Sequence, residues 1–425
     1  MGLFLLGSFL LFLAAGVPFA FALGLSSLGA LLLQGDLPLM VMVQRMVVGA
    51  DSFPLMAVPF FMLVGTIMSR GGISRRLVEF ANTLIGSLHG GLSLVAVFTS
   101  MLFAGISGSA PADTAAVGSI MIPSMKRHGY RADFAAALQA SGGSIGVIIP
   151  PSIPMVVFGA LTATSIGGLF VGGYIPGLLA GLALMGVATV ISRRRGYRGE
   201  GAFSVRRVWQ SFHRALLALL APGIIVGGIL GGIFTPTESG VVGVAYVLLL
   251  SLVIYREMSP GELYRALLEA AELTAMVLLI VATASIFSWM LAIGRVPQAV
   301  GEVLGGLTRQ PWLFLLVLNL FLLFMGCFMD MLSGMIILLP ILMPLVQQAG
   351  IDPIHFGVVF VFNLAVGMLT PPFGVCLFVA MAIARVSLEE IGRAVLPFLV
   401  AMIAILVLIM SVPEVVLFLP RLLRL

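Results

Sequence analysis

Ile149-Pro150-Pro151-Ser152 and Thr370-Pro371-Pro372-Phe373 are two double-proline stretches, one in each half of the chain, and each interrupts a long apolar segment. Proline lacks a backbone donor and disrupts the interior of a helix, so both stretches predict a broken helix. The register that places Pro150 on Pro371 also aligns Gly105 with Gly326, Pro123 with Pro344, Gly129 with Gly350, Gly146 with Gly367, and Pro176 with Pro397. Because only 23 of the 425 residues are proline, these coincidences predict an internal repeat.

The composition excludes an ordinary soluble domain. Hydrophobic residues make up 60% of the chain and charged residues only 9%, whereas soluble proteins have about 25% charged residues. Uninterrupted apolar stretches occupy 3–33, 169–191, 215–233, 273–293 and 394–412. Apolar stretches broken by Gly, Pro or polar residues occupy 54–69, 92–125, 132–168, 240–255, 312–346 and 354–385. We therefore predict an all-α polytopic membrane protein, with residues 1–425 forming a single integral membrane domain.

The remaining segments refine this prediction. Residues 1–33 are expected to form the first span, since they begin with no positively charged region and are too long for a signal peptide. Weakly amphipathic pieces at 73–88, 259–272 and 296–308 are expected to lie along the membrane interface. Cys327 and Cys376 lie in apolar runs and indicate neither a disulfide framework nor a metal site. The net charge of +5 comes mostly from one Arg-rich loop, which indicates topology and no nucleic-acid partner.

Charge predicts that the two repeats have opposite orientations. Loop 126–131 carries +3, whereas its counterpart 347–352 carries −1. Conversely, uncharged Thr164-Ser165-Ile166 aligns with Arg385-Val386-Ser387. Because cytoplasmic loops are enriched in Lys and Arg, equivalent loops are expected on opposite sides, as in inverted-topology transporters. Arg421 and Arg424 disagree with this assignment, because it would place their positive charges on the outer side. The repeats are placed at about 37–191 and 258–412, with re-entrant hairpins at about 92–125 and 312–346.

The two hairpin tips and the two broken helices predict the functional site. Backbone carbonyls and hydroxyls at such breaks suit sodium, and short interrupted segments at matching positions indicate a midplane binding site. The candidate sodium ligands are Ser107, Ser109, Gly143, Ser152, Asp330, Ser333, Gly334, Gly367 and Thr370. The candidate substrate or hairpin-tip residues are Gly108, Asp113, Pro150, Pro151, Pro371 and Pro372. Asp330 could ligate a cation directly, whereas Asp113 could equally cap the helix that follows it, and the serines could bond local backbone.

Two other motifs have alternative interpretations. Thr235-Pro236-Thr237-Glu238 predicts a capping box at a helix start, with Glu238 as a more remote gating candidate. Gly105-Ile106-Ser107-Gly108 fits the short pattern of rhomboid-like intramembrane serine proteases. A serine nucleophile needs a base, and the four histidines fall in or beside loops, so proteolysis is a remote alternative and no enzyme is expected.

The motifs, taken in order, resemble the large membrane subunit of TRAP (tripartite ATP-independent periplasmic) transporters, the DctM-like family. The resemblance covers nearly the whole chain. It rests on four motifs, Ser107-Gly108-Ser109-Ala110-Pro111-Ala112-Asp113, Ile149-Pro150-Pro151-Ser152, Phe234-Thr235-Pro236-Thr237-Glu238 and Thr370-Pro371-Pro372-Phe373-Gly374. The second hairpin departs from the pattern, because Met329-Asp330-Met331 stands where a Ser-Gly-Ser motif would be expected.

This resemblance implies an elevator-type fold and sodium-coupled uptake of an organic anion, such as a C4-dicarboxylate, sialic acid or another carboxylate. It implies a multi-pass protein of the cytoplasmic (inner) membrane, with Na⁺ as coupling ion and no other cofactor. It also implies two partners, a separate small four-helix membrane subunit and a periplasmic substrate-binding protein. The moving unit would contain both hairpins and both broken helices, with 73–88 and 296–308 as arms. A stand-alone sodium–carboxylate symporter is the alternative.

Overall fold

The structure, a computed structural model, describes residues 1–199, 203–296, 298, 310–327 and 329–425. These residues form helices and no strand. The helices are α1 (Gly2–Ala14), α2 (Phe19–Gln34), α3 (Met40–Ala50), α4 (Ala57–Arg70), α5 (Ile73–Ile85), α6 (Gly91–Ser107), α7 (Ala110–Arg127), α8 (Ala132–Ser144), α9 (Ile153–Thr162), α10 (Ile166–Arg195), α11 (Val205–Leu230), α12 (Pro236–Leu248), α13 (Pro260–Ile293), α14 (Pro311–Gly326), α15 (Met331–Gln348), α16 (Pro353–Gly367), α17 (Val375–Ala384), α18 (Leu388–Ser411) and α19 (Glu414–Leu422).

Seven helical segments within the described ranges are long and apolar enough to cross a bilayer. They are Phe53–Arg70, Ile166–Arg195, Val205–Leu230, Pro236–Ile254, Pro260–Ile293, Met331–Gln348 and Leu388–Ser411. Two of them include irregular turns, a 3₁₀ turn at Phe53–Met56 before α4 and a π-helical turn at Leu249–Ile254 after α12. The predicted all-α polytopic membrane fold is confirmed.

The repeat is visible in matching helix bounds. In the register that places Pro150 on Pro371, the first and last residues of α7 coincide with the first and last residues of α15, and α8 and α16 begin at equivalent positions. The turn glycines that follow α7 and α15, Gly129 and Gly350, both have positive φ, +80° and +66°. The helix bounds thus follow the register of the sequence repeat, while the exact division of the chain into repeats stays a prediction.

Contacts along α10 show that the repeats are inverted. At the start of α8, the backbone N–H of Arg131 donates to the Tyr197 hydroxyl (3.2 Å), just beyond the C-terminal end of α10. At the start of α16, Ile354 packs against Gly168, which lies at the N-terminal end of α10. A helix of 30 residues is about 45 Å long, so the equivalent helices α8 and α16 begin at opposite ends of the molecule.

The helices pack in two groups. Helices α1–α4 and α11–α13 pack on one another, and we call them the wall group. Helices α6–α10 and α14–α19 form a second set, the hairpin group, which contains both hairpins (α6–α7 and α14–α15) and both broken helices (α8–α9 and α16–α17). Helix α5 packs on α11 of the wall group and on α6 of the hairpin group. It therefore joins the two groups.

The prediction of one span over 1–33 was wrong. The structure places two short helices there, α1 and α2, which pack side by side with Phe9 and Phe19 in ring contact (centroids 5.7 Å apart). The break follows from Gly16, whose φ is +78°, and from Pro18, which immediately precedes α2. Neither residue continues a helix easily. The turn was missed because the residues around it are apolar and no polar residue marks it.

The separation of 259–272 from 273–293 was also wrong, because both lie in the single 34-residue helix α13. Ser259 and Glu262 form a capping box at its start, and neither Gly nor Pro occurs between Glu262 and Ile293. The equivalent part of repeat 1 is divided into α3 and α4, with Pro54 in the turn between them. Piece 73–88 is largely helix α5, whereas most of 296–308 lies outside the described residues.

The capping box predicted at Thr235 is confirmed. The Thr235 hydroxyl accepts from the N–H of Glu238 (3.2 Å), and the Glu238 carboxylate accepts from the N–H of Thr235 (2.8 Å). These two bonds satisfy backbone donors that the first turn of α12 would otherwise leave unpaired. Glu238 therefore has a structural role at the start of α12.

Candidate functional site

A cavity of about 220 Å³ lies between the wall group and the hairpin group. The wall group contributes one face of α4, from Met62 to Ser69, and one face of α13, from Glu269 to Ile280. The hairpin group contributes residues from both hairpin tips, Ser107–Ser109 and Asp330–Leu332, and the start of α9. The two tips, far apart in sequence, thus meet at one site.

The first hairpin tip is fastened to the first broken helix. Gly108 adopts φ +63°, a conformation that favours glycine, and its carbonyl accepts from the N–H of Ile153 (3.2 Å). A Cβ at Gly108 would lie 2.9 Å from the Pro151 carbonyl oxygen, so the approach leaves no room for a side chain. Gly108 is therefore needed both for its backbone conformation and for this contact.

The N-terminus of α7 faces the cavity without a side-chain cap. Ser109 is the N-cap residue, but its side chain accepts no backbone hydrogen bond. Ser109, Pro111 and Ala112 all line the cavity. A helix N-terminus carries partial positive charge and unpaired N–H groups, so this end of α7 can receive an anionic group.

Asp113 is completely buried, and neither of its carboxylate oxygens has a hydrogen-bond partner. Ser100 lies beside the carboxylate, but its hydroxyl accepts from the Gln139 side-chain amide (3.0 Å) and makes no bond of ordinary geometry with Asp113. The Gln139 carbonyl oxygen is also buried without a partner. A carboxylate at this depth normally has a partner or an ion, so three unsatisfied oxygens here suit a bound cation.

The two predicted aspartates have different structural roles. Asp113 does not cap α7, because the N-cap residue is Ser109 and Asp113 lies four residues further along. Asp330, by contrast, is the N-cap residue of α15 and accepts from the N–H groups of Leu332 (3.1 Å) and Ser333 (3.3 Å). Asp330 is exposed and lines the cavity. The capping role considered for Asp113 therefore belongs to Asp330.

Several other predicted sodium ligands support the helix breaks. Ser152 caps α9 by accepting from the N–H of Met155 (3.3 Å), and its hydroxyl donates to the Val147 carbonyl (2.6 Å). Thr370 donates to the Val366 carbonyl (2.9 Å). Neither Ser152 nor Thr370 lines the cavity.

The predicted glycines mainly allow close packing of helices. Gly143 packs against Thr114 of α7, and Gly367 lies against Gly326 of α14, where a Cβ would come within 2.9 Å of the Gly326 Cα. Gly334 has open space around it. None of these three glycines lines the cavity, and a direct role in binding sodium stays a prediction.

The double prolines and Ser333 complete the predicted set. Pro150 and Pro151 are buried, whereas Pro371 is partly buried and Pro372 is exposed. Both proline–proline bonds are cis. The hydroxyl of Ser333 lies 3.4 Å from the Asp330 carboxylate, next to the second tip. Pro151 thus lies against Gly108 of the first tip, and none of the four prolines lines the cavity.

Sequence reasoning missed the wall side of the cavity. Thr66 and Ser69 are three residues apart on α4, and Glu269 precedes Leu273 and Met276 on one face of α13. The spacing of the two hydroxyls within an otherwise apolar helix was the available signal. Glu269 also forms an ion pair with Arg70 (2.8 Å) that links α4 to α13.

The histidines do not support the protease alternative. None of the four, all of which are described, lines the cavity or accompanies Ser107 there. The buried His355 lies at the start of α16, where its Nε2 contacts the Ile409 carbonyl (2.8 Å). Ser107 therefore has no histidine base within the described cavity.

Comparison with known proteins identifies the family. Residues 6–415 match the family described as "Tripartite ATP-independent periplasmic transporter, DctM component". The chain belongs to the DctM family of TRAP transporters. It is a polytopic membrane protein of a family whose members transport organic acids.

Three relatives resemble the permease along nearly its whole length. It is 44% identical over 97% of its residues to the isethionate TRAP transporter permease protein DctMQ of Oleidesulfovibrio alaskensis, of which it covers 65%. It is 40% identical to the 2,3-diketo-L-gulonate TRAP transporter large permease protein YiaN of Escherichia coli, covering 97% of both chains. It is also 40% identical to the sialic acid TRAP transporter large permease protein SiaM of Vibrio cholerae, covering 96% of both.

A solved structure shares the fold at low sequence identity. The YdaH transporter of Alcanivorax borkumensis, described as having an unusual topology, superposes with a TM-score of 0.62 at 14% identity. The alignment covers 87% of the permease and 86% of YdaH. This likeness supports the fold of the DctM-family permease and nothing finer.

The contact at Gly108 gives a prediction with a matched control. Gly108→Ala should abolish most uptake, because its Cβ would push the first tip away from Pro151. Gly129→Ala carries a similar backbone cost of about 1–2 kcal/mol, but Gly129 (φ +80°) has nothing within 4 Å of a Cβ. Uptake per inserted molecule, measured in reconstituted vesicles, should fall at least tenfold for Gly108→Ala relative to Gly129→Ala. Equal uptake by the two variants would show that the tip contact is dispensable.

Proposed function

We propose that this DctM-family permease is the large membrane subunit of a sodium-coupled importer of organic anions. In this proposal a periplasmic binding protein delivers the substrate, and the hairpin group carries it across the membrane by an elevator movement. The cavity shared by both hairpin tips and the wall group is the observation that carries the proposal. Separate observations support the substrate, the ion, the movement and the partners.

The substrate class follows from the cavity and the relatives. The relatives are named for isethionate, 2,3-diketo-L-gulonate and sialic acid, all of which are organic anions. No Lys, Arg or His side chain lines the described cavity. An anionic group would therefore be held by the uncapped N-terminus of α7 and by the hydroxyl of Ser109. The apolar face of α13 would contact the carbon skeleton.

Sodium coupling is supported by the unpaired oxygens around Asp113. Sodium is a hard cation and prefers oxygen ligands. The Asp113 carboxylate oxygens and the Gln139 carbonyl oxygen are buried without a hydrogen-bond partner. The Ser109 backbone carbonyl, which accepts from the N–H of Asp113 (3.0 Å), lies with Asp113 against Gly146. A cation bound beside Asp113 would neutralise its buried charge. It would also lie next to the N-terminus that receives the anion, which would couple the binding of the two.

The elevator movement is supported by how the helices are grouped. Both hairpins and both broken helices pack together in the hairpin group, and the cavity lies at the border with the wall group. Helix α5 packs on both groups. Inverted repeats with matched broken helices can exchange two access states in this way.

The proposed partners and location are supported by membership of the family. In this proposal the permease lies in the cytoplasmic membrane with a separate small four-helix subunit. The chain covers 65% of the isethionate permease protein DctMQ but 97% of YiaN, so part of DctMQ has no counterpart in this chain. A separate small subunit would supply such a part.

The sodium proposal predicts distinct effects for three aspartates. Asp113→Asn removes the buried charge without changing side-chain shape, so the sodium concentration for half-maximal uptake should rise by about tenfold or more. Asp330→Asn should have a smaller effect, because an amide oxygen can still cap α15. Asp36→Asn, at an exposed position, should behave as wild type. Unchanged sodium dependence of the Asp113→Asn variant in vesicles would refute the ion site.

The delivery proposal predicts a strict requirement for the binding protein. Vesicles that contain the permease and its small subunit should accumulate substrate only when the liganded binding protein is present outside. The control is the same vesicles with free substrate at the same total concentration. Sodium-driven uptake of free substrate by the permease alone would instead support the stand-alone symporter.

The elevator proposal predicts a change in exposure at the first tip. In a background that lacks Cys327 and Cys376, Ser109→Cys should react with an aqueous thiol reagent at rates that differ about tenfold or more between sodium-loaded and sodium-free protein. Ile233→Cys, at an exposed position just after α11, should react at the same rate in both. If both positions respond alike, the hairpin group does not move as a unit against the wall group.

A further inference from the structure

A second cleft, of about 510 Å³, lies away from the transport cavity. Helix α5 and helix α11 form its sides, and the residues that follow the π-helical turn of α12 close one end. Its charged and titratable lining residues are Arg75, Arg76, Glu79, His213, Arg214 and Glu257. The concentration of Arg on this side indicates the cytoplasmic face of the membrane.

Some of these charges are already satisfied within the protein. Arg76 pairs with Glu257 (2.7 Å) and lies over the ring of Tyr255 (3.7 Å to the centroid). Arg75 and Arg214 are exposed and have no hydrogen-bond or ion-pair partner among the described residues. The negative charge of Glu79 offsets only one of these two arginines, so the cleft keeps a net positive charge.

An exposed tryptophan lies at the rim of the cleft. Trp209 is 63% exposed on α11, and its ring contacts His213 (4.5 Å) one turn further along. Tryptophan is enriched at membrane interfaces, where its apolar ring and its N–H both find suitable surroundings. Leu217 lines the cleft on the same helix. The cleft therefore offers positive charge beside apolar surface.

The walls of the cleft are fixed relative to one another. Phe80 of α5 packs on Phe212 of α11 (5.8 Å between ring centroids), and the hydroxyls of Thr83 and Ser211 are 2.5 Å apart. These contacts hold α5 against α11 while Arg75 and Arg214 remain unpaired. A preformed cleft loses little entropy when it binds a ligand.

We propose that this cleft binds the headgroup of an anionic phospholipid from the cytoplasmic leaflet. The guanidinium groups of Arg75 and Arg214 would donate to the phosphate oxygens, a geometry that suits arginine. Trp209 and Leu217 would contact the glycerol and upper acyl carbons. Free phosphate offers the same anion but no apolar part, so the apolar rim favours the lipid. Basic pockets between helices on the cytoplasmic side of membrane proteins bind such headgroups.

The position of the cleft would give the lipid a structural role. Helix α5 packs on both groups, and Arg75 lies at its first turn. A lipid held between α5 and α11 would add a further contact between α5 and the wall group. Binding of the lipid is independent of the proposed substrate and ion.

Quenching of Trp209 by brominated lipid tests the proposal. The full chain, with Trp289→Phe and Trp312→Phe so that Trp209 is the sole reporter, is placed in nanodiscs of phosphatidylcholine. Either brominated phosphatidylglycerol or brominated phosphatidylcholine is included at the same mole fraction. We expect stronger quenching by the anionic lipid. The Arg75→Gln/Arg214→Gln variant should lose this preference by roughly 20-fold, since one basic side chain at the surface contributes about fivefold.

The matched control is Arg127→Gln/Arg194→Gln, which removes two exposed arginines from the last turns of α7 and α10, which we also place on the cytoplasmic face. It should keep the preference. An equal loss in both double variants would reduce the effect to general surface charge and overturn the proposal. A preference that persists in Arg75→Gln/Arg214→Gln, or that inorganic phosphate alone abolishes, would overturn it as well. If the small membrane subunit shields Trp209 from both lipids, the cleft is a protein interface and the lipid proposal is wrong.

Discussion

The fold depends on how the protein pairs its backbone where helices break inside the membrane. The hydrocarbon layer has no water to satisfy an open carbonyl or amide, so each break must find its partner within the protein. In repeat 1 the partner comes from another element, since the Gly108 carbonyl at the hairpin tip accepts from Ile153 at the break. In repeat 2 the break is closed locally, with the N–H of Cys376 donating to the Met368 carbonyl (3.3 Å). The first tip and the first broken helix are thus joined into one body.

The two repeats share a register but differ in their chemistry. Asp113 is sealed in the interior without a partner, whereas Asp330 is exposed and holds two backbone N–H groups at the start of α15. The side-chain hydrogen bonds between neighbouring helices also differ. In repeat 1 Gln139 of α8 donates to Ser100 of α6, whereas in repeat 2 Asn363 of α16 donates to Asn319 of α14 (2.7 Å). An inverted repeat therefore fixes the path of the backbone and leaves the polar groups at the two tips free to diverge.

The structural features that were predictable from the sequence are those that depend on Pro, Gly and charge. The hairpins, the double-proline breaks and the inversion followed from residues such as Gly105, Pro150 and Lys126, whose effects on the backbone or on topology are local. The turn at Gly16 was missed because its neighbours are apolar. The wall of the cavity was also missed, since Thr66 and Glu269 come together only when α4 packs on α13. Likewise, nothing local distinguishes the buried Asp113 from the exposed Asp330.

The length of α13 locates the cavity relative to the bilayer. Its apolar part, 273–293, has the length of the hydrocarbon layer, about 30 Å, so Glu269 lies one turn outside it, at the headgroups. Ile280, the deepest cavity residue on α13, lies only about 10 Å inside the layer. The cavity is thus off-centre, in the half of the bilayer where Arg70 and α5 lie. In the proposed transport cycle, a solute held there would be close to the cytoplasm and would have most of the hydrocarbon thickness on its other side, which is the geometry of release and not of capture.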